Sequence, residues 1–103
     1  MKFILRPTVY GVMEEAAQWY EDQQEDSGAD FSDRVLETFE RIAQGPKLFP
    51  VIMRVTGGRQ VRRALVDRFP YGVFYVLTAD AIVVFALTHL QRDSREWIRK
   101  IPR

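Results

Sequence analysis

The chain has 103 residues, no cysteine and a formal net charge of +1, and 47% of its residues are hydrophobic. This is the length of one domain, so we expect a single domain over 1–103 with one modest core, and the apolar content excludes a disordered chain. The absence of cysteine excludes disulfides and thiolate metal sites. A chain without cysteine also makes a reducing cytoplasm the expected compartment, and no window approaches the roughly 20 apolar residues of a membrane span.

Charge is distributed unevenly along the chain. Residues 1–50 carry five Lys or Arg against ten Asp or Glu, whereas residues 51–103 carry ten against four. Nine of those ten basic residues are arginine, whose planar guanidinium can bind a carboxylate or phosphate through two hydrogen bonds. The pattern predicts a basic surface in the second half, suited to an acidic peptide or a phosphate backbone. The alternative is a solvated surface with a chance asymmetry.

The first half of the chain predicts a short strand followed by a helical hairpin. The segment KFILR (2–6) has an apolar centre, charged ends and a following proline, as a short buried strand has. Thr8 is a candidate N-cap for a first helix and Ser27 for a second, which the GP at 45–46 ends. Helical spacing predicts two apolar stripes: Val9, Met13, Ala16, Ala17 and Tyr20, then Phe31, Val35, Phe39 and Ile42, widened by Leu36 and Ala43.

The second half predicts strands. A loop over 45–60, with a short extended piece around 51–55, is followed by VRRALV (61–66), YGVFYVL (71–77) and AIVVFAL (81–87). The separators DRFP and TAD favour hairpin connections and antiparallel pairing. The tail, 93–100, predicts a short helix behind an Asp93 cap. The order β-α-α-β-β-β, with an optional C-terminal helix, indicates an α+β fold with a mainly antiparallel sheet and the helical hairpin on one face.

The last two strands are apolar on both sides. Two helices can cover only one face of a sheet, so the other face is expected to expose an apolar patch flanked by arginines, where a partner would bind. The alternative is a twisted sheet partly covered by the 45–60 loop and the tail. Simple alternation opposes Tyr71, Val73 and Tyr75 to Phe74 and Val76, and opposes Ile82, Val84 and Ala86 to Val83, Phe85 and Leu87.

Arg62 and Arg63 are adjacent in a predicted strand, so their side chains should leave on opposite faces. One is expected to lie on the outward face beside Arg68 or Arg92 and to meet a carboxylate of a partner. The other is expected to pair within the protein, for instance with an acidic residue of the helical hairpin. Asp93 would either cap the tail helix or fix the orientation of an arginine.

Several stretches together resemble a known family. RRALVDRFPYGVFYVL and IVVFALTHLQRDSREW, preceded by AAQWYEDQ and ADFSDRVLETFERIAQGPKLFP, are similar to the ParE/RelE superfamily of bacterial toxin–antitoxin toxins, and most of all to its ParE-like, plasmid-stabilisation branch. The likeness covers nearly the whole chain. It implies a compact α+β toxin that inhibits growth and is encoded beside an antitoxin, which wraps it in a hetero-oligomeric complex.

The resemblance leaves more than one mechanism open. RelE-like members that cut mRNA on the ribosome commonly carry an arginine in the FPYxV strand, where this chain has Gly72, and often end in a tyrosine or histidine, whereas this chain ends RKIPR. ParE-like members inhibit DNA gyrase by binding and need no nuclease site, so gyrase is the expected target. An endoribonuclease is the first alternative, and a degenerate member that only binds its antitoxin is the second.

These readings assign different roles to the same residues. In an endoribonuclease, His89 would transfer protons, with Tyr71 and Tyr75 as further candidates, and Arg62 or Arg63 together with Arg92 would stabilise the phosphate. A lone histidine after an apolar strand is more often structural. We expect no cofactor and no metal. The candidates for antitoxin or target binding are Arg62, Arg63, Arg68, Phe74, Phe85, His89, Arg92 and Arg95.

Overall fold

A five-stranded sheet with two helices against one face forms the frame of the protein, seen in a computed structural model that describes residues 1–102. The predicted order β-α-α-β-β-β is confirmed, and the short extended piece expected around 51–55 adds a fourth strand after the helices. No helix within residues 1–102 is both long enough and apolar enough to cross a membrane. The elements are β1 (Lys2–Leu5), α1 (Pro7–Gln23), α2 (Ser27–Gln44), β2 (Val51–Arg54), β3 (Gln60–Leu65), β4 (Tyr71–Leu77), β5 (Ala81–His89) and a C-terminal 3-10 helix (Glu96–Lys100).

The strand order across the sheet is β1-β5-β4-β3-β2. The pairs from β2 to β5 are antiparallel, as the two predicted hairpins and the short extended piece after α2 require. β1 instead pairs parallel with β5, with Phe3 opposite Ile82, so the first and last strands of the chain are neighbours. β1 lies at an edge of the sheet, and its residues alternate between exposed and half-buried. The prediction that this strand is buried is therefore wrong.

The helix starts differ from the predicted caps. α1 begins at Pro7, one residue before Thr8, because the fixed φ and missing N–H of proline suit a first helical position. Ser27 is the first residue of α2 rather than its cap. The cap comes from α1: the Glu21 carboxylate accepts a hydrogen bond of 3.0 Å from the Gly28 backbone N–H. α2 ends before Gly45, as predicted.

The inner face of the sheet, which both helices cover, carries the larger core. Leu36 and Ala43 were expected to widen the stripe on α2, but Leu36 is 53% exposed and Ala43 is exposed as well, so this part of the prediction is wrong. The remaining stripe residues pack as predicted. The helices contribute Val9, Ala16, Phe31, Val35, Phe39 and Ile42 to this core, with Met13, Ala17 and Tyr20 partly buried at its margin.

The outer face of the sheet is covered, which contradicts the predicted exposed patch. Phe74 and Phe85 are each 1% exposed. Residues 96–102, which we name the C-terminal segment, lie over them. The indole of Trp97 stacks on the ring of Phe74, with a centroid distance of 4.7 Å and an interplanar angle of 10°. The cover is completed by Ile98 and Ile101 and by Ile52 and Met53 of β2.

A β-bulge in β5 changes which residues face each side. The register with β4 runs from Phe74–Ala86 directly to Tyr75–Val84. Phe85 is the extra residue, so Phe85 and Ala86 both face outward, and Leu87 returns to the inner core. Simple alternation had placed Ala86 inside and Leu87 beside Phe85, and that assignment fails after the bulge.

The C-terminal helix is shorter than predicted and is not capped by Asp93. It is a 3-10 helix that begins at Glu96 and has no side-chain cap. The turn before it is held by the Trp97 indole, whose Nε1–H donates to the Ser94 carbonyl oxygen at 3.0 Å. The carboxylate of Asp93 instead contacts Arg92 Nε at 3.5 Å, which is the second of the two predicted roles for Asp93.

Phe39→Ala should lower the free energy of unfolding by about 3 to 5 kcal/mol, because it leaves a cavity where the Phe39 ring meets the Phe3 ring of β1 at 5.9 Å. Leu36→Ala, on the exposed side of the same helix, should change it by about 0.5 kcal/mol or less. Urea denaturation of both variants measures the difference. Equal losses would contradict the placement of this helix face.

Candidate functional site

Arg62 is the inward arginine of the β3 pair. It lies opposite Tyr75 of β4. Its guanidinium donates hydrogen bonds to the main-chain carbonyl oxygens of Lys47 at 3.1 Å and Phe49 at 2.7 Å, in the loop between α2 and β2. The prediction that one arginine pairs within the protein is confirmed, but its partners are carbonyl oxygens and not carboxylates of the helical hairpin.

Tyr75 holds the same loop. Its hydroxyl donates to the Pro46 carbonyl oxygen at 2.6 Å. Burial raises the pKa of Tyr75 to about 12, an effect that the neighbouring Arg62 charge partly opposes. Arg62 and Tyr75 therefore form a clamp on the loop, and both are engaged in structural hydrogen bonds.

Arg63 is the outward arginine, opposite Phe74. Its stem passes over Gly72: a Cβ at that position would lie 3.2 Å from Arg63 Cδ and 3.0 Å from Leu90 Cδ2. The space that a larger residue at position 72 would need is thus already filled. Arg63 Nε is buried and has no hydrogen-bond partner among residues 1–102. Leu65, two residues further along the strand and 53% exposed, offers apolar surface beside it.

His89 organises the turn after β5. Its Nδ1 accepts hydrogen bonds from the backbone N–H groups of Gln91 at 3.3 Å and Arg92 at 3.0 Å. Its carbonyl oxygen accepts a third from the Asp93 N–H at 3.0 Å. Because Nδ1 is an acceptor, the neutral ring carries its hydrogen on Nε2. The ring lies against Tyr71, with a centroid distance of 5.1 Å.

The four catalytic candidates are not brought together. His89 pairs with Tyr71, whereas Arg62 pairs with Tyr75, four residues further along β4 or about 13 Å at ~3.3 Å per residue. Arg63 lies on the opposite face of the sheet. Only Arg92 is close to His89, and the contact joins its backbone N–H to the imidazole.

The binding candidates fall into exposed and covered residues. Arg68 is exposed in the turn before β4, at a φ of 68°, and Arg95 is exposed just before the C-terminal 3-10 helix. Arg92 is exposed beside Asp93. Phe74 and Phe85 lie beneath the C-terminal segment and cannot touch a partner while it is in place.

A cleft of about 500 Å³ contains residues that the sequence did not bring together. It lies between α1, the adjoining ends of β4 and β5, and the C-terminal 3-10 helix, and we name it the α1 cleft. Trp19 and Tyr20 line one side, and Tyr71, His89 and Arg92 line the other. In the sequence, the one feature that could have indicated this cleft is Trp19, a tryptophan outside the apolar stripe of the first helix. Tyr20 gave no such indication, because helical spacing assigned it to the core.

No protein-family model matches the chain, and no curated protein matches it either. Within the described part of the chain, no group of three or more His, Asp or Glu side chains is placed to hold a metal ion. Functional inference therefore depends on the geometry above and on the sequence resemblance.

Arg62→Ala should lower the free energy of unfolding by about 2 to 3 kcal/mol, because two loop carbonyls lose a charged donor. Arg62→Lys should recover part of this loss, since an ammonium does not reproduce the guanidinium fork. Arg63→Ala, its neighbour on the other face, should cost about 1 kcal/mol or less. Urea denaturation compares the three, and equal losses for Arg62→Ala and Arg63→Ala would contradict the clamp.

Stability should fall as the pH rises from about 10 to about 12. Over that range folded Tyr75 keeps its proton, whereas in the unfolded chain it has lost it, so the folded state binds more protons. Tyr75→Phe should reduce the slope. Burial also raises the pKa of Tyr20 and of Tyr71, so part of the slope should remain. Denaturant midpoints of both proteins across this range provide the measurement.

Proposed function

We propose that this chain is the toxin of a ParE-like toxin–antitoxin pair, which acts in the bacterial cytoplasm by binding its target and is neutralised by an antitoxin encoded nearby. DNA gyrase is the leading target. The resemblance over nearly the whole sequence supports the family, and the β-α-α-β-β-β order is the fold that this resemblance implies.

The observation that carries the proposal is the state of Arg63. A buried N–H without an acceptor costs about 1 to 3 kcal/mol. Arg63 as a whole is only half-buried, so the side chain can turn outward, and a carboxylate of an acidic antitoxin would then supply that acceptor and pair with the guanidinium through two hydrogen bonds. The exposed side chain of Leu65 gives such a partner an adjacent apolar contact.

The surface proposed for the antitoxin is not the apolar outer face that the sequence predicted. Since the C-terminal segment covers Phe74 and Phe85, the surface is centred on Arg63 and Leu65. Arg68, three residues after Leu65, lies in the β3–β4 turn, where it lines a shallow pocket with Leu65 and with Glu37 and Arg41 of α2. The arginine excess of the second half of the chain suits an acidic antitoxin over this region.

Two features favour binding over RNA cleavage. The acid–base and phosphate-binding candidates form two separate groups: Tyr71, His89 and Arg92 line the α1 cleft, whereas Arg62 and Arg63 lie opposite Tyr75 and Phe74 further along β4. His89 uses Nδ1 to hold the turn after β5, which leaves that atom engaged and not poised to take a proton. Gly72 stands where RelE-like members commonly carry an arginine, and its surroundings are filled.

Induced expression in a bacterium, with and without the acidic protein encoded beside the gene, tests the proposal. Filamentation with DNA-damage signalling, together with inhibition of supercoiling by purified gyrase, is the expected result. His89→Ala should retain this activity if it folds. Immediate loss of translation with mRNA cleavage would identify an endoribonuclease instead. Antitoxin binding without any growth effect would identify a degenerate member, and either result would overturn the proposal.

Arg63→Ala should weaken antitoxin binding by about 2 to 5 kcal/mol, the range for one partner of a desolvated charge pair. A rim contact would change it by only ~1 kcal/mol or less. Arg54→Ala, which removes an exposed arginine from the edge strand β2, is the matched control and should have a small effect. Calorimetric titration at low and high salt measures both. Equal losses would mean that the partner responds to overall charge and not to Arg63.

A further inference from the structure

The α1 cleft has the dimensions of a small-molecule site. Its volume of about 500 Å³ lies within the roughly 300–1,000 Å³ typical of ligand pockets. It lies between α1, which covers the inner face of the sheet, and the C-terminal 3-10 helix, and Arg63 is not among the residues that line it. Val12, Ala16 and Leu87 give it an apolar floor, so a bound ligand would be partly shielded from water.

A continuous row of aromatic side chains, which we name the aromatic wall, runs across the α1 cleft from α1 to the adjoining ends of β4 and β5. Trp19 meets Tyr20 edge-on at a centroid distance of 5.2 Å, Tyr20 meets Tyr71 at 6.4 Å, and Tyr71 meets His89 at 5.1 Å. The wall begins at an indole that is 53% exposed. Because exposed aromatic surface is unfavourable in water, a flat ring that covers Trp19 would be stabilised there.

The polar groups on the strand side of the cleft are hydrogen-bond donors. Tyr20, Tyr71 and Arg92 all line the cleft, and the positive charge of Arg92 partly opposes the rise in the pKa of both tyrosines. Burial raises the pKa of both tyrosines, so their hydroxyls keep their hydrogens at neutral pH. His89 adds a ring N–H at Nε2, since its Nδ1 is an acceptor.

Two of the carboxylates that line the cleft already have partners. Asp93 contacts Arg92, and Glu96 contacts Arg99. The remaining charged residues of the lining, Glu15 and Lys100, are opposite in sign. The lining thus carries three carboxylates and two cationic side chains, so selection of an anion depends on the clustered donors of Tyr71, His89 and Arg92 and not on the net charge of the cleft.

We infer that the α1 cleft binds a small aromatic oxyanion, with a flat ring on Trp19 and a phosphate or carboxylate that accepts hydrogen bonds from Arg92 and Tyr71. A neutral ring lacks the acceptor that these donors require. A cation would meet several N–H and O–H groups at close range. The inference does not depend on the proposed toxin function, because neither Arg63 nor Leu65 lines the cleft.

Nitrogen–proton NMR spectra of the full chain test the inference with two matched pairs of probes. Adenosine 5′-monophosphate is compared with adenosine, and phenylacetate with phenylacetamide. The two indole N–H signals are the reporters: Trp19 lines the cleft, whereas Trp97 is stacked on Phe74 across the sheet and serves as an internal control. Tighter binding of adenosine 5′-monophosphate than of phenylacetate indicates a phosphate ligand, and the opposite order indicates a carboxylate ligand.

The expected result is a saturating shift of the Trp19 signal, but not of the Trp97 signal, with the anionic member of at least one pair. Arg92→Gln should weaken that binding by roughly 10-fold, and Tyr71→Phe should weaken it while keeping the aromatic wall. Lys47→Gln removes an exposed charge from the loop after α2 and should have no effect.

Three results would overturn the inference. The first is an unchanged Trp19 signal with every probe at about 10 mM, a concentration that detects even millimolar affinity. The second is equal binding of the anionic and neutral members of each pair. The third is an Arg92→Gln protein that stays folded, by its Trp97 signal, and binds like the parent.

Discussion

A sheet whose central strands are apolar on both sides must be covered twice, and the rest of this structure follows from that constraint. Every residue from Tyr71 to Val76 and from Ala81 to Thr88 is buried. Sheets buried on both faces usually carry helices on each side. Here both helices cover the inner face, and the C-terminal segment covers the outer face with Trp97, Ile98 and Ile101. The residues after β5 are therefore part of the core, and the space left for a partner lies at the margins of the sheet.

Arg62 and Arg63 are adjacent in β3 and have different surroundings, because their side chains leave the strand on opposite faces. Arg62 faces the loop after α2 and binds main-chain carbonyl oxygens, so its charge is used in holding the fold together. Arg63 faces the other way, crosses Gly72 and leaves Nε without an acceptor among residues 1–102. The first arrangement is complete in the isolated chain, whereas the second leaves a buried N–H without a partner in the described part of the chain.

Local pattern predicted the elements well because each helix and strand repeats its period several times. The stripe from Phe31 to Ile42 and the apolar runs of β4 and β5 leave little choice of secondary structure. The bulge at Phe85 could not be predicted, because a run that is apolar on both sides looks the same with or without an extra residue. The split of Arg62 from Arg63 follows from alternation alone. The acceptors of Arg62 could not be predicted, because every residue has a main-chain carbonyl and the sequence does not show which of them lies near the guanidinium.

Features that join distant parts of the chain were also beyond the sequence. The hydrogen bond from Gly28 to Glu21 depends on how two helices meet, and the α1 cleft joins Trp19 to Arg92. The covered outer face was foreseen only as an alternative, since the tail 93–100 shows a helical pattern but not the surface on which it packs. Long-range geometry of this kind depends on the assembled sheet.

The parallel pairing of β1 with β5 has a consequence for the order in which the protein can fold. Lys2 lies opposite Ala81, so β1 has no neighbour in the sheet until most of the chain has been synthesised. The apolar stripes of α1 and α2 leave the ribosome long before the strands that cover them. Pairing β1 with β5 closes a loop of nearly the whole chain. The entropic cost of this closure comes before the contacts between the two strands can form, and it therefore slows folding. We therefore expect no N-terminal fragment that ends before β5 to reach a stable fold, and the sheet to assemble in one late, cooperative step.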